Sequence, residues 1–300
     1  MNTLIETLKY FVTIMSELVV LFILISTIIA FALMYIPQEK LKKWMSGKGI
    51  WGNIIAVLFG AVTPFCACST VPITLGLLQA GVPFGTVMSF VIASPLMDPL
   101  VFIMLGTFMG WDVAIIFLLL TSAFSVIAGI VLEKMGWADQ VKNVRLKTNA
   151  NGHEEEIPNG LKLKLKKSFL KALSDFKGVF VYMIIGVAIG AAIYGYLPQD
   201  LLARVAGPDN PLAVIVVALI GMPLYIRVES AIPIALALIE KGASMGAIIA
   251  LIISGAGIAI PELTMFASIF KKKIIIAFIV IVFVMAVVSG LVFNLLPYIY

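Results

Sequence analysis

Two cysteines, Cys66 and Cys68, are the residues of this sequence best suited to bind a ligand through sulfur. They lie in an apolar stretch framed by two prolines, which favour a break in a helix. In an extended segment, side chains two residues apart share a face, so both thiols would line one site. Such a pair suits Cu(I) or trivalent arsenic, with the hydroxyls of Ser69 and Thr70 beside it. The alternative is that both cysteines are small buried hydrophobes.

Two charged residues, Arg227 and Glu229, lie in a second apolar stretch that prolines interrupt. A charged side chain within a membrane span is costly and by default functional. One interpretation is a structural pair between the two side chains. The other places both in the substrate site, where Arg227 would hold an anion or balance a pair of thiolates.

A carboxylate occurs in each of two further breaks, Asp98 within 94–99 and Glu262 within 254–262. A carboxyl group that gains and loses a proton in a low-dielectric site can couple transport to protons. This interpretation predicts that Asp98 and Glu262 flank one central cavity. The alternative is that each carboxylate caps the half-helix that follows its break.

The composition places these residues in a membrane. The 300-residue chain is 62% hydrophobic and 12% charged, with mean hydropathy +1.12, too apolar for a soluble globule. Its net charge of +5 comes from lysines in short loops beside apolar runs, where they set topology. We therefore expect a multi-pass protein of the cell membrane, in contact with lipid and not with nucleic acid. The single histidine, His153, lies in a polar segment, so no histidine-based metal centre or other cofactor is expected.

Six apolar runs are long enough to span a bilayer. They are 11–36, 84–108, 111–132, 178–197, 245–270 and 274–297. Two more stretches, 51–80 and 211–240, contain prolines and are each predicted to be two half-helices. They are either re-entrant hairpins or pairs of crossings, which gives about 8–10 transmembrane segments in all.

The two halves of the chain resemble each other at one constant separation along the sequence. We call this separation the repeat offset and define it as the number of residues from Gly60 to Gly221. The other matches at this offset include Ser69 with Ser230, Pro72 with Pro233, Gly81 with Gly242 and Gly85 with Gly246. The register slips by one at Ser94 and Ser254. We expect an N-terminal repeat, 1–132, a charged cytoplasmic linker, 133–177, and a C-terminal repeat, 178–300. The fold class is therefore an all-α membrane protein of two repeats.

The basic residues indicate how the repeats lie in the membrane. Lysines and arginines concentrate in the linker and in loops at 40–48 and 271–273, so these segments are predicted to be cytoplasmic. The repeats then have inverted topology, with broken or re-entrant helices meeting at the midplane. That pattern is typical of secondary transporters. No G-x-x-x-x-G-K-[ST] motif occurs, so ATP is not the energy source within this chain.

Several segments also resemble a known family. They are T-P-F-C-x-C-S-T-V-P-I at 63–73, I-A-S-P-L-M-D-P at 92–99, P-L-Y-x-R-x-E at 223–229, and G-A-G and P-E within 255–262. They resemble the ArsP-type permeases, whose best-known members expel trivalent organoarsenicals. The resemblance implies an efflux permease, not an enzyme, with the cysteines as metalloid ligands. Family members commonly have Ser and Asn where this chain has Ala67 and Asp98.

Alternative functions remain at this stage. The favoured one is proton-coupled export of a small thiol-seeking metalloid or soft metal. The others are a permease for another small anion or sulfur compound, and a membrane scaffold or sensor that transports nothing. A scaffold has no need of charged residues inside the bilayer, which favours transport. The oligomeric state is open, a homo-oligomer included.

Overall fold

The computed structural model describes residues 49–62, 67–141, 212–223, 242–258 and 260–295 without interruption, and single positions or short runs within 12–45, 162–184 and 235–239. The described part of the chain is helical apart from one isolated bridge between Val141 and Phe270. The helices of the first half are α1 (Ile50–Val62), α2 (Ala67–Gln79), α3 (Phe84–Ala93), α4 (Pro99–Phe108) and α5 (Trp111–Lys134), and a 3-10 helix (Trp137–Gln140) follows them.

The helices of the second half repeat this order. They are α6 (Ala213–Gly221), α7 (Met245–Gly257), α8 (Ile260–Ile269) and α9 (Lys272–Leu295). The bounds of α8 and α9 lie one repeat offset after those of α4 and α5 at both ends, and α7 starts one repeat offset after α3. The one-residue slip at the serines is therefore local, because the helices start at the same offset before and after it.

Two of the described helices are long and apolar enough to cross a membrane alone, α5 and α9. Each has 24 residues and extends about 36 Å. A third crossing is made if α7 and α8, which meet at a bend of 44°, form one broken span. These findings agree with the spans predicted at 111–132 and 274–297, although α5 continues past the predicted boundary at residue 132.

The span predicted over 84–108 is interrupted within 94–99, where the sequence predicted a break. The segment forms two helices of 10 residues each, α3 and α4, separated by a turn at 94–97. Pro95 and Pro99 cause the interruption, since neither has an N–H to donate to the preceding turn. Most positions of the predicted spans 11–36 and 178–197 lie outside the described residues.

The end of α5 and the start of α9 lie on the same side of the molecule. Lys271 N donates to Gln140 O at 2.9 Å, and Lys271 Nζ donates to Asp139 O at 3.0 Å. Beside these bonds, Val141 and Phe270 form an antiparallel bridge. We call this the linker side, defined by residues 137–141 and 270–271. Because α5 ends where α9 begins, the two equivalent helices cross in opposite directions.

The stretch 51–80 forms a hairpin that enters and leaves on the linker side. Gly85 N, in the first turn of α3, donates to Glu133 Oε2 at 3.1 Å, so α3 starts beside the end of α5. A four-residue connection joins α2 to α3, so α2 ends on that side too. Helix α1 packs along α3 in the same direction, with Gly60 against Ser94 at the far end. Helices α1 and α2 therefore each have one end on the linker side.

The second half has the same local geometry at the opposite side. Gly246 N, in the first turn of α7, donates to Asn294 Oδ1 at 2.9 Å, so α7 starts beside the end of α9. Asn294 follows Glu133 by one repeat offset, just as Gly246 follows Gly85. Each half therefore holds the start of a broken span by the same contact. In both, a side chain from the long helix satisfies an N–H that a helix start leaves unpaired.

Candidate functional site

The two broken spans meet at equivalent positions. A Cβ placed on Gly257, where α7 ends, would lie 3.5 Å from Leu96 Cδ2, in the turn between α3 and α4. Gly257 follows Leu96 by one repeat offset. Contact between equivalent positions is expected where a pseudo-twofold axis relates two halves. We call this contact and the adjoining turns, 94–98 and 257–260, the central break.

The tip of the first hairpin reaches the central break. A Cβ placed on Gly60, in the last turn of α1, would be 3.3 Å from Ser94 N. Only four residues separate Val62 from the start of α2 at Ala67, so α2 begins in the same region. The start of α2 therefore lies at the depth where α3 gives way to α4.

The extended geometry predicted for Cys66 to Pro72 is wrong from Ala67 onward, because α2 starts there and includes Cys68, Ser69 and Thr70. Pro72 is the sixth residue of α2, where its missing N–H leaves only the carbonyl of Cys68 without its helical partner. Such a loss is tolerated in membrane helices. Cys66, and the side chains of Cys68 and Ser69, lie outside the described residues, as do Arg227 and Glu229.

Three half-helices, α2, α4 and α8, begin at or next to the central break. The start of a helix carries unpaired N–H groups and about half a positive charge. The first turn of α8 contains Glu262, and Asp98 caps α4, so each of these starts has a carboxylate of its own. The first turn of α2 has no acidic residue and contains Cys68. Of the three described starts, that of α2 is the one left without a compensating carboxylate.

Asp98 is the N-cap of α4. Its Oδ1 accepts from Leu100 N at 2.9 Å, and its backbone has the extended ψ of 133° that a cap residue adopts. The side chain is half-buried. Asp98 therefore makes the capping contact that was the alternative interpretation to a proton-coupling role.

Glu262 differs from Asp98 in both place and burial. It is the third residue of α8, inside the helix rather than at its cap, and is 1% exposed. Its equivalent at the repeat offset is Val101, and the equivalent of Asp98 is Ala259. The two carboxylates therefore do not occupy equivalent positions of the repeat. Each acid is next to a proline, but Glu262 lies three residues after Ala259, the equivalent of Asp98.

Buried hydroxyl groups lie in this region, and the sequence predicted only Thr70 among them as a site residue. Thr70 and Thr74 are fully buried one turn apart on α2, which packs against α8. Thr74 Oγ1 and Ser94 Oγ have no hydrogen-bond partner within the described part of the chain. A threonine repeated after four residues on an otherwise apolar helix was the signal that could have revealed them. The oxygens of Thr74 and Ser94 are therefore placed to bind a polar ligand or water.

A small cavity lies nearby, between α3, α8 and α9, and is lined by apolar side chains only. The lining residues are Met88, Val91, Leu263, Phe266, Phe270, Ile274, Ile275 and Phe278. Its volume of about 10 Å³ has room for one water at most. Because it offers no polar contact, it is not suited to hold the substrate. Among the described residues, no three His, Cys, Asp or Glu side chains form a group that could bind a metal ion.

Comparison with known proteins assigns the family. Residues 3–295 match the model of the ArsP_1 family, described as a predicted permease. The chain is 27% identical over 282 residues to the UPF0718 protein YcgR of Bacillus subtilis, covering 93% of this chain and 92% of that protein. It is 21% identical over 285 residues to a Streptococcus mutans protein named as a candidate subunit of a two-component membrane permease complex, covering 93% and 91%. No solved structure matches this chain significantly. The chain is a membrane protein and belongs to the ArsP_1 family of permeases.

Proposed function

We propose that this chain is a secondary transporter that exports trivalent organoarsenicals, or a related thiol-seeking metalloid or soft metal, in exchange for protons. The observation that carries the proposal is the central break, where equivalent positions of the two halves touch and three half-helices begin. Irregular backbone at membrane depth is tolerated where it lines a cavity or is buried in protein. Discontinuous helices that meet in this way form the substrate sites of many secondary transporters.

The orientation of the halves supports alternating access. Helices α5 and α9 are equivalent, and α5 ends on the side where α9 begins. The lysines at 271–273 and the first residues of the linker lie on this side, so the positive-inside rule assigns it to the cytoplasm. In this proposal the chain consists of two inverted-topology repeats about the central break. A tilt of one repeat against the other would then expose the site to each side in turn.

The substrate ligands in this proposal are the thiols of Cys66 and Cys68. With α2 starting at Ala67, Cys68 lies in its first turn and Cys66 just precedes the helix. The positive start of α2 favours an anionic ligand such as thiolate, and thiolate selects soft species over Mg²⁺ or Na⁺. Ser69 and Thr70 extend the site on α2. Two sulfurs without a third ligand also permit release, which a carrier requires.

The remaining polar residues complete the site. Arg227 and Glu229 belong to the second interrupted stretch, which under inverted symmetry approaches the same centre from the other side. Arg227 would balance the charge of two thiolates. Two carboxylates, Asp98 and Glu262, lie beside the central break, and proton exchange needs one of them to gain and lose a proton.

A small anion is the second candidate substrate. The observation that favours it is the convergence of the starts of α2, α4 and α8, because helix N-termini bind anions through their N–H groups and dipoles. Arg227 would assist. An oxyanion or a sulfur anion would use these groups without needing either cysteine, so the cysteines discriminate between the two candidates.

Thermal stabilisation of the purified protein tests the proposal. We expect trivalent methylarsenite at about 100 times its Kd to stabilise the protein by about 2.7 kcal/mol, which is roughly 5–10 °C in Tm. The Cys66→Ser/Cys68→Ser variant, with no other change, is the matched control and should show no shift. Stabilisation of both forms by thiosulfate or sulfate, with none by methylarsenite, would favour the small anion instead. No shift from any of these ligands or from Cu(I) would contradict the proposed substrate classes.

A further inference from the structure

We infer that the two carboxylates beside the central break have separate roles: Glu262 is the group that carries the exchanged proton, and Asp98 is a positioning residue that fixes the start of α4. This inference rests on the proposed proton exchange and makes it specific. It also predicts one proton-carrying carboxylate per chain at this site, rather than a symmetric pair.

The contact made by Asp98 accounts for its presence. Its Oδ1 accepts the N–H of Leu100 at 2.9 Å, and the side chain is half-buried. Asparagine caps a helix as well as aspartate does, because the capping bond needs only an acceptor oxygen. The cap sets where α4 begins relative to Leu96, which touches Gly257 of the other half. The structural task of Asp98 therefore needs no change of protonation.

Glu262 has the properties of a proton carrier. It is 1% exposed and lies within α8, so it is not available to cap that helix in the way that Asp98 caps α4. An ionised carboxylate is costly to bury, and a neutral one much less so. A carboxyl group at this position is therefore suited to exchange a proton as substrate enters and leaves. Because Val101 is its equivalent, the internal repeat does not explain why a carboxylate is here.

Few other ionisable groups lie on the helices around Glu262. Helix α8 packs against α2 and α9 and borders the apolar cavity with α3. Helix α2 carries Cys68 as its one ionisable side chain, and α3 carries none. The charged residues of α9, Lys272 and Lys273, are exposed at its start, next to the far end of α8. Among the described helices in contact with α8, Cys68 is thus the one ionisable partner near the start of that helix.

The exchange requires that the Glu262 O–H bond break as the substrate enters from the cytoplasm. The proton leaves to the cytoplasm, and the carboxylate takes a new proton from outside after the substrate has left. Glu262→Gln keeps the size and the neutral state but can do neither. It should therefore allow movement of substrate down its own gradient while abolishing uphill movement driven by a pH gradient.

The test uses the full-length protein reconstituted in liposomes, with trivalent methylarsenite as the probe. Wild type should accumulate the probe against its gradient when a pH gradient is imposed, and should also exchange probe across the membrane at equal pH. The pH-driven flux of E262Q should be at least tenfold below that of wild type, while its exchange of probe at equal pH should remain. D98N should keep both within about twofold, whereas D98A should melt about 2–4 °C lower because the cap is lost.

The outcomes separate this inference from the proposed function. Wild type that neither exchanges nor accumulates the probe would overturn the proposed function. Wild type that accumulates the probe, together with E262Q that does so equally, would overturn the inference alone. Loss of pH-driven flux in D98N at normal Tm would overturn the assignment of Asp98 as a positioning residue.

Discussion

Each of the long helices, α5 and α9, crosses a shorter helix, α3 or α7, at a pair of glycines. A larger side chain at either crossing should push the two helices apart. A Cβ on Gly129 of α5 would overlap Ser89 Oγ and the carbonyl oxygen of Gly85, and would lie 3.1 Å from Ser89 Cβ. A Cβ on Gly290 of α9 would lie 2.6 Å from the carbonyl oxygen of Gly246 and 3.2 Å from Ala250 Cβ. A serine can rotate away, but a backbone carbonyl cannot. The helices would have to move apart by roughly 1 Å to regain ordinary contact.

The magnitude follows from the type of contact. Overpacking a well-packed interface typically costs about 1–3 kcal/mol. Because the obstacle is backbone in both crossings, we expect Gly129→Ala and Gly290→Ala to fall in the upper half of that range. For a protein of this size, that corresponds to a loss of roughly 4–10 °C in Tm. Membrane interfaces depend on such small residues because packing, rather than the hydrophobic effect, associates their helices.

The assay is thermal unfolding of the purified protein in detergent, measured as the loss of the monodisperse peak after heating. Ala123→Val is the matched control, since it adds bulk to an exposed position of α5 and should change Tm by less than about 1 °C. The reasoning would be refuted if both glycine variants had the same Tm as wild type and the control. If only one glycine variant were destabilised, the equivalence of the two crossings would be wrong.

Three further predictions concern the fold. In a background of Cys66→Ser and Cys68→Ser, Asn210→Cys should be labelled only from outside and Lys272→Cys only from the cytoplasm; the reverse pattern would contradict the assigned orientation. In the same background, Leu96→Cys and Gly257→Cys should cross-link under mild oxidation, while Leu100→Cys with Gly257→Cys should not. Glu133→Ala and Asn294→Ala should each lower the stability by about 1 kcal/mol, because the N–H of Gly85 or Gly246 loses its acceptor. The expected drop in Tm is about 2–4 °C, and Glu133→Gln should lower Tm much less. Equal stability of Glu133→Ala and Glu133→Gln would show that the accepting oxygen is unimportant.

Features that depend on length and periodicity could be predicted from the sequence. Helices α5 and α9 are uninterrupted apolar runs, and nothing in either sequence could end the helix early. The prolines around 51–80 also indicated a break, which lies between α1 and α2. The repeat offset was visible partly through matched glycines. Gly85 and Gly246 are such a pair, and a Cβ on either would overlap a backbone carbonyl of the long helix beside it.

Features that depend on tertiary contacts could not be predicted. Pro72 suggested an extended segment. Within α2, however, its missing N–H removes one helical hydrogen bond, and packing of α2 against α3 and α8 favours the helix. Asp98 and Glu262 looked equivalent because each is a lone acid near a proline, yet they occupy different positions in the register of the repeat. Glu133 looked like the first residue of the linker, whereas its carboxylate pairs with Gly85. Asn294 has the same role, but an acid and an amide do not resemble each other in sequence.

The central claim is that the cysteines at the central break carry a thiol-seeking substrate across the membrane. The most direct measurement is uptake of trivalent methylarsenite into inside-out vesicles under a pH gradient, comparing wild type with Cys66→Ser/Cys68→Ser at equal amounts of folded protein. The account predicts accumulation by wild type that collapses when the gradient is dissipated, and background uptake by the variant. Equal uptake by the two proteins would contradict it.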